Sequence, residues 1–230
     1  MGGPSPQNVC LEQVLGGDVV GVVVDADDTA SLQPGMRVAF LSDGFSWSKP
    51  YGSYAEFITA PESQVAVLPN DISFLEAAGL PLVTLTALQA LNPMNLQPGQ
   101  RVLIHAGAGG VGSAAIQIAK ARGLHVTTTC STRNMQFLWE VSRIQTCDYE
   151  ARSLMVLKKW GTYVSVLAKG DIGAVLRGKA LNWEGAGPGP RYNIVVVQPS
   201  RADMEAALRL VQQHRLKPII DQVLPLEQAR

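Results

Sequence analysis

Little in this chain is charged, and neither sign gathers into a run. Of 230 residues 17% are charged, nineteen basic against nineteen acidic. That balance argues against nucleic acid or an anionic membrane surface as the main partner. Apolar runs are short as well, and none approaches the roughly 20 residues of a membrane-spanning helix. Cysteine is sparse: Cys10, Cys130 and Cys147 are scattered and odd in number. A disulfide framework or a C-x-x-C zinc site is therefore not supported, and the thiols read as incidental or buried in a reducing compartment. The opening MGGPSPQNVC has neither the basic start nor the apolar core of a signal peptide. Its Pro6 stands where a myristoylation signal wants Ser or Thr. A cytoplasmic location is the expectation. What the chain does have is 47% hydrophobic residues, enough to build a sizeable core in one large or two small domains.

Arg101 to Arg133 carries the strongest pattern. Val102-Leu103-Ile104 is a short apolar run suited to a buried parallel strand, and it runs into Gly107-Ala108-Gly109-Gly110-Val111-Gly112. From Ser113 to Arg122 the chain is helix-forming, with Ala114, Ala115, Ile118 and Ala119 at helical spacings and Gly123 at the closing position. His125 to Cys130 reads as a second strand, rich in Val and Thr. Strand, glycine turn, helix and strand in this order make G-x-G-x-x-G a dinucleotide signature. Gly107 permits the turn, Gly109 admits a pyrophosphate to the backbone, and Gly112 lets the helix pack against the sheet. The first N–H groups of the helix and its positive dipole end would face the phosphates.

The end of the second strand bears on which dinucleotide. An NAD site places an acidic residue there to bind the ribose 2′-hydroxyl, whereas this chain has Ser131-Thr132-Arg133-Asn134 and no acid before Glu140. A guanidinium with hydroxyl neighbours suits a 2′-phosphate, so NADPH is favoured over NADH. The other reading makes Arg133 a solvated residue at a helix start.

Elsewhere the pattern is β-rich and then mixed. Strands are expected within Leu15 to Asp25, where Gly21 reads as a bend or bulge, at Arg37 to Phe40, at Tyr54 to Thr59 and at Val65 to Leu68. Ser73 with Glu76 fits a capping box opening a short helix, which Leu80-Pro81 breaks; a second helix is expected over Val83 to Leu91. Beyond Arg133, helices are expected at Asn134 to Ser142 and Ser153 to Lys159. Strands follow at Gly161 to Leu167 and Tyr192 to Val197. Arg201 to His214 is an amphipathic helix capped by Ser200, with Met204, Ala207, Leu208 and Val211 on one stripe. Ile219 to Leu224 is a last expected strand.

Taken together the motifs resemble the zinc-independent quinone-oxidoreductase branch of the medium-chain dehydrogenase/reductases. The matching pieces are Gly16 to Val23, Pro34 to Val38, Gly52 to Phe57, Ala77 to Pro81, Leu85 to Ala87, Gly99 to Gly112, and Leu216 to Asp221 before Pro225-Leu226. They occur in family order and cover most of the chain. The stretch Ser131 to Asn134 and the region from Val195 to Leu208 look most like plastid-envelope quinone oxidoreductase homologues and mitochondrial relatives.

The resemblance implies an α/β fold. A GroES-like β-barrel domain (residues 1–82, N-terminally truncated) is followed by a Rossmann-type parallel-sheet domain (83–200) lacking about two strands of the doubly wound pattern. Residues 201–230 would return toward the first domain. It implies NADPH in the cleft, and hydride transfer to a quinone or an α,β-unsaturated carbonyl. Family cofactor contacts carry over onto Thr86, Gly109, Gly110, Val111, Ser131 and Arg133, within a site that also takes in Gly107, Ala108, Gly112 and Asn134. Tyr54 matches a family tyrosine near the cleft, either an acid catalyst or a packing residue. Gly17 and Asp18 stand where zinc-dependent relatives keep a histidine and a glutamate, so no metal is expected; His105 reads as a core residue. Family dimers suggest a homodimer through Tyr192 to Val197, and plastid or mitochondrial association follows from the same likeness. The shortened stretch around Thr146 and the join at Cys147 to Arg152 suggest an internal deletion that leaves an edge beside Val102 to Ile104 open. A second reading is therefore a catalytically inactive NADPH-binding or interaction remnant.

Overall fold

The computed structural model describes residues 14–28, 30–42, 52–142, 162–166, 191–225 and 228, and the chain divides into two units. One takes in Met1–Leu82, Gln198–Gln212 and Pro218–Arg230; the other takes in Val83–Val197 and Gln213–Lys217.

In the first unit three antiparallel strands, β1 (Asp18–Val22), β2 (Arg37–Leu41) and β3 (Ala66–Val67), pair in the order β1-β2-β3. β2 is central, and Val38 to Leu41 are all buried. Val38 and Phe40 point to a core shared with Leu32 and Val65, against which Val19, Val23 and Met36 pack. Gly21 sits in regular register opposite Val38, so the bulge expected there does not form; β1 continues evenly through it. Gln33 to Met36 forms the turn that closes this pair: Gly35 has φ +91°, and the Met36 N–H donates to the Gln33 carbonyl at 3.1 Å. Proline followed by a left-handed glycine is what a type II turn requires.

The expected strand at Tyr54 to Thr59 is instead a bend. Its start crosses the residues before β1, with Ser53 N–H and Tyr54 N–H donating to the Gly16 and Leu15 carbonyls at 3.2 and 2.9 Å. A side chain at Gly52 would strike the Val14 and Leu15 carbonyls. The segment makes a close crossing and then leaves, which β-branched composition alone does not reveal. Ile219 to Leu224 likewise runs without a ladder partner among the described residues and exposes Ile219, Ile220, Val223 and Leu224. A strand exists only by pairing, and no local pattern supplies the partner.

Helix α1 (Phe74–Ala78) opens with the expected capping box, Ser73 and Glu76 bonding each other's backbone N–H. Arg37 fixes the approach to it: the guanidinium donates to the Pro69 and Ile72 carbonyls at 3.0 and 2.6 Å and lies 4.4 Å from the Phe74 ring centre. Helix α2 (Pro81–Leu91) begins two residues before the expected start. Pro81 belongs in the first turn, where its missing N–H costs nothing. Leu80 precedes it and cannot cap. Asp18, 64 residues earlier, does so instead, accepting the Leu82 N–H at 2.6 Å. Burial pushes the Asp18 carboxyl above its ordinary 3.8, and the Leu82 bond partly offsets this.

The sign of this shift sets a prediction. A carboxyl raised in the fold binds its proton more tightly folded than unfolded, so its contribution is fullest below the ordinary value and declines as pH rises through the folded one. Asp18→Asn keeps an acceptor for Leu82 without the buried charge. It is expected to melt at or above the parent temperature at neutral pH, the gap closing in acid, whereas Asp18→Ala loses about 1 kcal/mol of cap. Thermal melts across pH read both; an Asn variant as damaged as the Ala variant would contradict the assignment.

Later in the chain, after α3 (Gly110–Ala121) and α4 (Met135–Ser142), α5 spans Arg201–Gln212. Ser200 caps it, accepting the Asp203 N–H at 3.2 Å. Met204, Ala207 and Leu208 are buried where the helix lies on β2, β3 and the 3-10 turn Glu62–Gln64. Arg201 bridges Glu62 at 3.2 Å and Glu205 at 2.9 Å, and the Ser31 hydroxyl also bonds Glu62. The helix ends two residues before the expected His214, which is left-handed with φ +55°.

In the second unit, β4 (Arg101–Ile104) and β5 (His125–Thr128) pair in parallel through α3. Ile116 and Leu138 centre the core, with Ile104, Ala108, Val126, Cys130 and Phe137 packed around them. Gly123 closes α3 with φ +74°, as expected. α4 follows a 3-10 turn, Thr132–Asn134. Strands β6 (Thr162–Val166) and β7 (Arg191–Val195) form a second parallel pair. Among the described residues the two pairs are separate sheets. The expected helix at Ser153 to Lys159, the join at Cys147 to Arg152 and the Gly-rich stretch from Gly170 to Pro190 lie outside the described residues.

Candidate functional site

The turn between β4 and α3 is built so that only glycine fits at two of its positions. Gly107 is buried, and a Cβ there would run into the Thr128 hydroxyl and lie 2.8 Å from Ile116 Cδ1. A Cβ on Gly112 would strike the Ala106 carbonyl oxygen and lie 2.8 Å from Gly107 Cα. Backbone cannot rotate aside, so Gly112 is what lets the helix sit against the strand end. Gly109 differs: its added Cβ would meet only the Ala106 carbonyl, at 3.4 Å, and Gly109 and Gly110 are exposed.

Helix α3 begins at Gly110, three residues before the expected Ser113, because the glycines form its first turn. Gly109 is the N-cap and no side chain caps the helix. Its first N–H groups have no intrahelical partner, and together with the dipole they make a place for an anion. Gly110 also admits α2: a Cβ there would come 2.9 Å from Val83 Cγ1. Thr86, three residues on from Val83 and so on the same side of that helix, is buried at 7% exposure. Ala108 joins the core and Val111 is half-buried.

Beyond β5, Ser131 is the N-cap of the 3-10 turn that carries Arg133 and Asn134. Ser131 and Arg133 are exposed, Asn134 is half-buried, and the Asn134 N–H donates to the Ser131 carbonyl at 2.9 Å. A flexible guanidinium beside an exposed hydroxyl at a strand's carboxyl end is suited to a phosphate monoester. These features fit a phosphorylated dinucleotide: open backbone at Gly109 and Gly110, an uncapped helix start, and a basic residue in the turn that follows β5.

Tyr54 is placed in the other unit, 55% exposed. Its ring edges Gly16, whose φ of +96° and added-Cβ distance of 2.9 Å to Tyr54 Cδ1 leave no room for a side chain. Cys130 is half-buried and packs beside the core. Among the described residues no three His, Cys, Asp or Glu side chains gather as a metal site requires. Nor is any described helix long and apolar enough to cross a membrane.

Comparison with known proteins places this geometry. A family profile described as zinc-binding dehydrogenase matches residues 144–230. The solved quinone oxidoreductase from Coxiella burnetii superposes with a TM-score of 0.81 at 30% identity, covering 94% of this chain and 73% of that one. The chain belongs to the zinc-binding, or medium-chain, dehydrogenase/reductase family. A chloroplast envelope quinone oxidoreductase homolog of Arabidopsis thaliana is 40% identical over 113 residues, 46% of this chain and 34% of its own length. An NADPH-dependent alkenal/one oxidoreductase of chloroplasts, also from Arabidopsis thaliana, is 31% identical over 221 residues, 92% of this chain and 57% of its own. The chain therefore spans between a third and somewhat over half of these curated relatives. Membership of this family and its α/β fold agree with the likeness read from the sequence.

Three features of the family unit escaped the sequence. Asp18 caps α2, accepting the Leu82 N–H from 64 residues earlier. His105 is engaged with Thr129, its Nδ1 lying 3.0 Å from the hydroxyl. Arg201 ties α5 to Glu62 across 139 residues. Only the first had a local signal: a helix opening Leu-Pro-Leu with no side chain able to cap it.

Proposed function

We propose that this chain binds NADPH on the Gly107 to Gly112 turn and transfers its hydride to a quinone or an α,β-unsaturated carbonyl. The observation that carries the reading is the uncapped start of α3 over a turn in which Gly107 and Gly112 leave no room for a side chain. Relatives named as quinone and NADPH-dependent alkenal/one oxidoreductases support the substrate class. In this reading the α3 amides hold the pyrophosphate, Arg133 with Ser131 and Asn134 holds the 2′-phosphate, and Thr86 lines the same site from α2.

The nicotinamide supplies the hydride when bound; the protein supplies position and a dry, polar setting. No side chain has to act as nucleophile or metal ligand, and the proposed reaction is zinc-independent. Tyr54 is the candidate proton donor to the reduced substrate, water being its rival. Tyr54→Phe is expected to lower kcat about tenfold or more with KM little changed if the phenol delivers the proton, and to leave turnover intact if the ring only packs on Gly16. A homodimer through Tyr192 to Val197 belongs to the same proposal: β7 takes β6 on one side, and Val196 beyond it is 69% exposed.

Among the described residues the β4–β5 and β6–β7 pairs are separate sheets, which favours a second reading, a chain that binds NADPH without turning over. Steady-state oxidation of NADPH by a short quinone and a short enone, set beside thermal shift with NADPH, separates the two. Oxidation above the protein-free rate supports the reductase; stabilisation without oxidation supports the inactive binder; neither effect overturns both.

A further inference from the structure

We propose that His105 is a positioning residue for the phosphate-binding turn, acting through the Thr129 hydroxyl; the inference deepens the nucleotide-binding reading and rests on it. Thr129 is the point at which β5 grips the turn. Its N–H donates to the Ile104 carbonyl at 3.2 Å, its carbonyl accepts the Gly107 N–H at 2.9 Å, and its hydroxyl accepts the Ala106 N–H at 3.3 Å. The hydroxyl also lies 3.0 Å from His105 Nδ1. The residue so gripped is strained: Ala106 has φ +53°, a region an L-residue with a Cβ occupies only where its surroundings over-determine it. Ala106 in that conformation sends its carbonyl under Gly112 and against the start of α3.

The rest of the imidazole shows which of its atoms matters. Nε2 is buried and has no hydrogen-bond partner among the described residues. A buried, unpaired polar atom is a cost, and a leucine would fill similar space without it. The gain that offsets this cost lies at Nδ1. With the hydroxyl accepting from Ala106 and donating its own hydrogen to Nδ1, both Thr129 and the unprotonated ring nitrogen are satisfied. The hydroxyl is thereby fixed in the rotamer that holds the left-handed turn. Ordering of a turn before the ligand arrives strengthens binding without adding a contact.

The test exploits side-chain geometry. Asn at 105 sets an amide near the place of Nδ1, and Gln sets one near Nε2. Amide hydrogen exchange of the segment holding Ala106 and Gly107 is followed in the full chain without cofactor, and NADPH affinity is titrated in parallel, for His105→Asn, His105→Gln, His105→Leu, Thr129→Ser and Thr129→Val. His105→Leu, His105→Gln and Thr129→Val are expected to speed exchange there and weaken NADPH about tenfold, with His105→Asn and Thr129→Ser close to the parent. Rescue by Gln but not Asn, or a Leu variant that exchanges and binds like the parent, overturns the proposal. If the parent chain itself binds no dinucleotide, the nucleotide reading fails, while the exchange measurement still decides the role of His105.

Discussion

Gly112→Ala is expected to destabilise the chain by about 3 kcal/mol or more and to abolish NADPH binding. The added methyl meets the Ala106 carbonyl oxygen, with Gly107 Cα at 2.8 Å and the Ala106 carbonyl carbon at 2.9 Å. All of these are backbone atoms, so the clash is relieved only by moving the helix off the strand end or unwinding the turn. Overpacking of this kind costs several kcal/mol, which for a chain of this size lowers the melting temperature by about 6–12 °C. Either route of relief also displaces the first N–H groups of α3. Gly21→Ala is the matched control: nothing lies within 4 Å of its added Cβ and its φ is not left-handed, so it should stay within about 0.5 kcal/mol of the parent. Equal melts for the two variants would show that the turn is not packed as described.

Arg133→Ala is expected to weaken NADPH binding by roughly 10- to 100-fold while leaving NADH affinity unchanged. A charge-assisted hydrogen bond to phosphate contributes about 1.5–3 kcal/mol, which converts to that range. NADH lacks the 2′-phosphate and so loses nothing. A solvated Arg133 with no part in binding predicts that the NADPH to NADH ratio stays where it was. The two affinities, measured at one fixed salt concentration because exposed ion pairs are screened, decide between these outcomes.

Much of the second unit was legible because its signals are local. An apolar strand, glycines at fixed offsets and a helix closed by Gly123 all fall within one βαβ segment, and each corresponds to a short-range steric need. The family and its α/β fold followed from motifs in order. What the sequence withheld is set by partners distant in the chain. Tyr54 to Thr59 has the composition of a strand, but the crossing at Gly16 and Gly52 turns it into a bend. Ile219 to Leu224 has the same composition and no ladder partner among the described residues. Leu80-Pro81 reads as a break because the cap of α2, Asp18, lies 64 residues before the Leu82 N–H it accepts. His105 reads as a core residue and Thr129 as part of a strand, and neither reading shows that Thr129's hydroxyl lies under the Ala106 N–H. Periodicity shows which face of an element is buried; it does not show what the element is tied to.

On the proposed reading, the turn from Gly107 to Gly112 remains a working phosphate site in this chain. Isothermal titration of the full chain with NADPH and then with NADH tests it most directly. NADPH is expected to bind saturably and at least about tenfold tighter than NADH, and Gly112→Ala to bind neither. A folded chain that takes up neither dinucleotide, or that binds both equally well with Gly112 replaced, would contradict it.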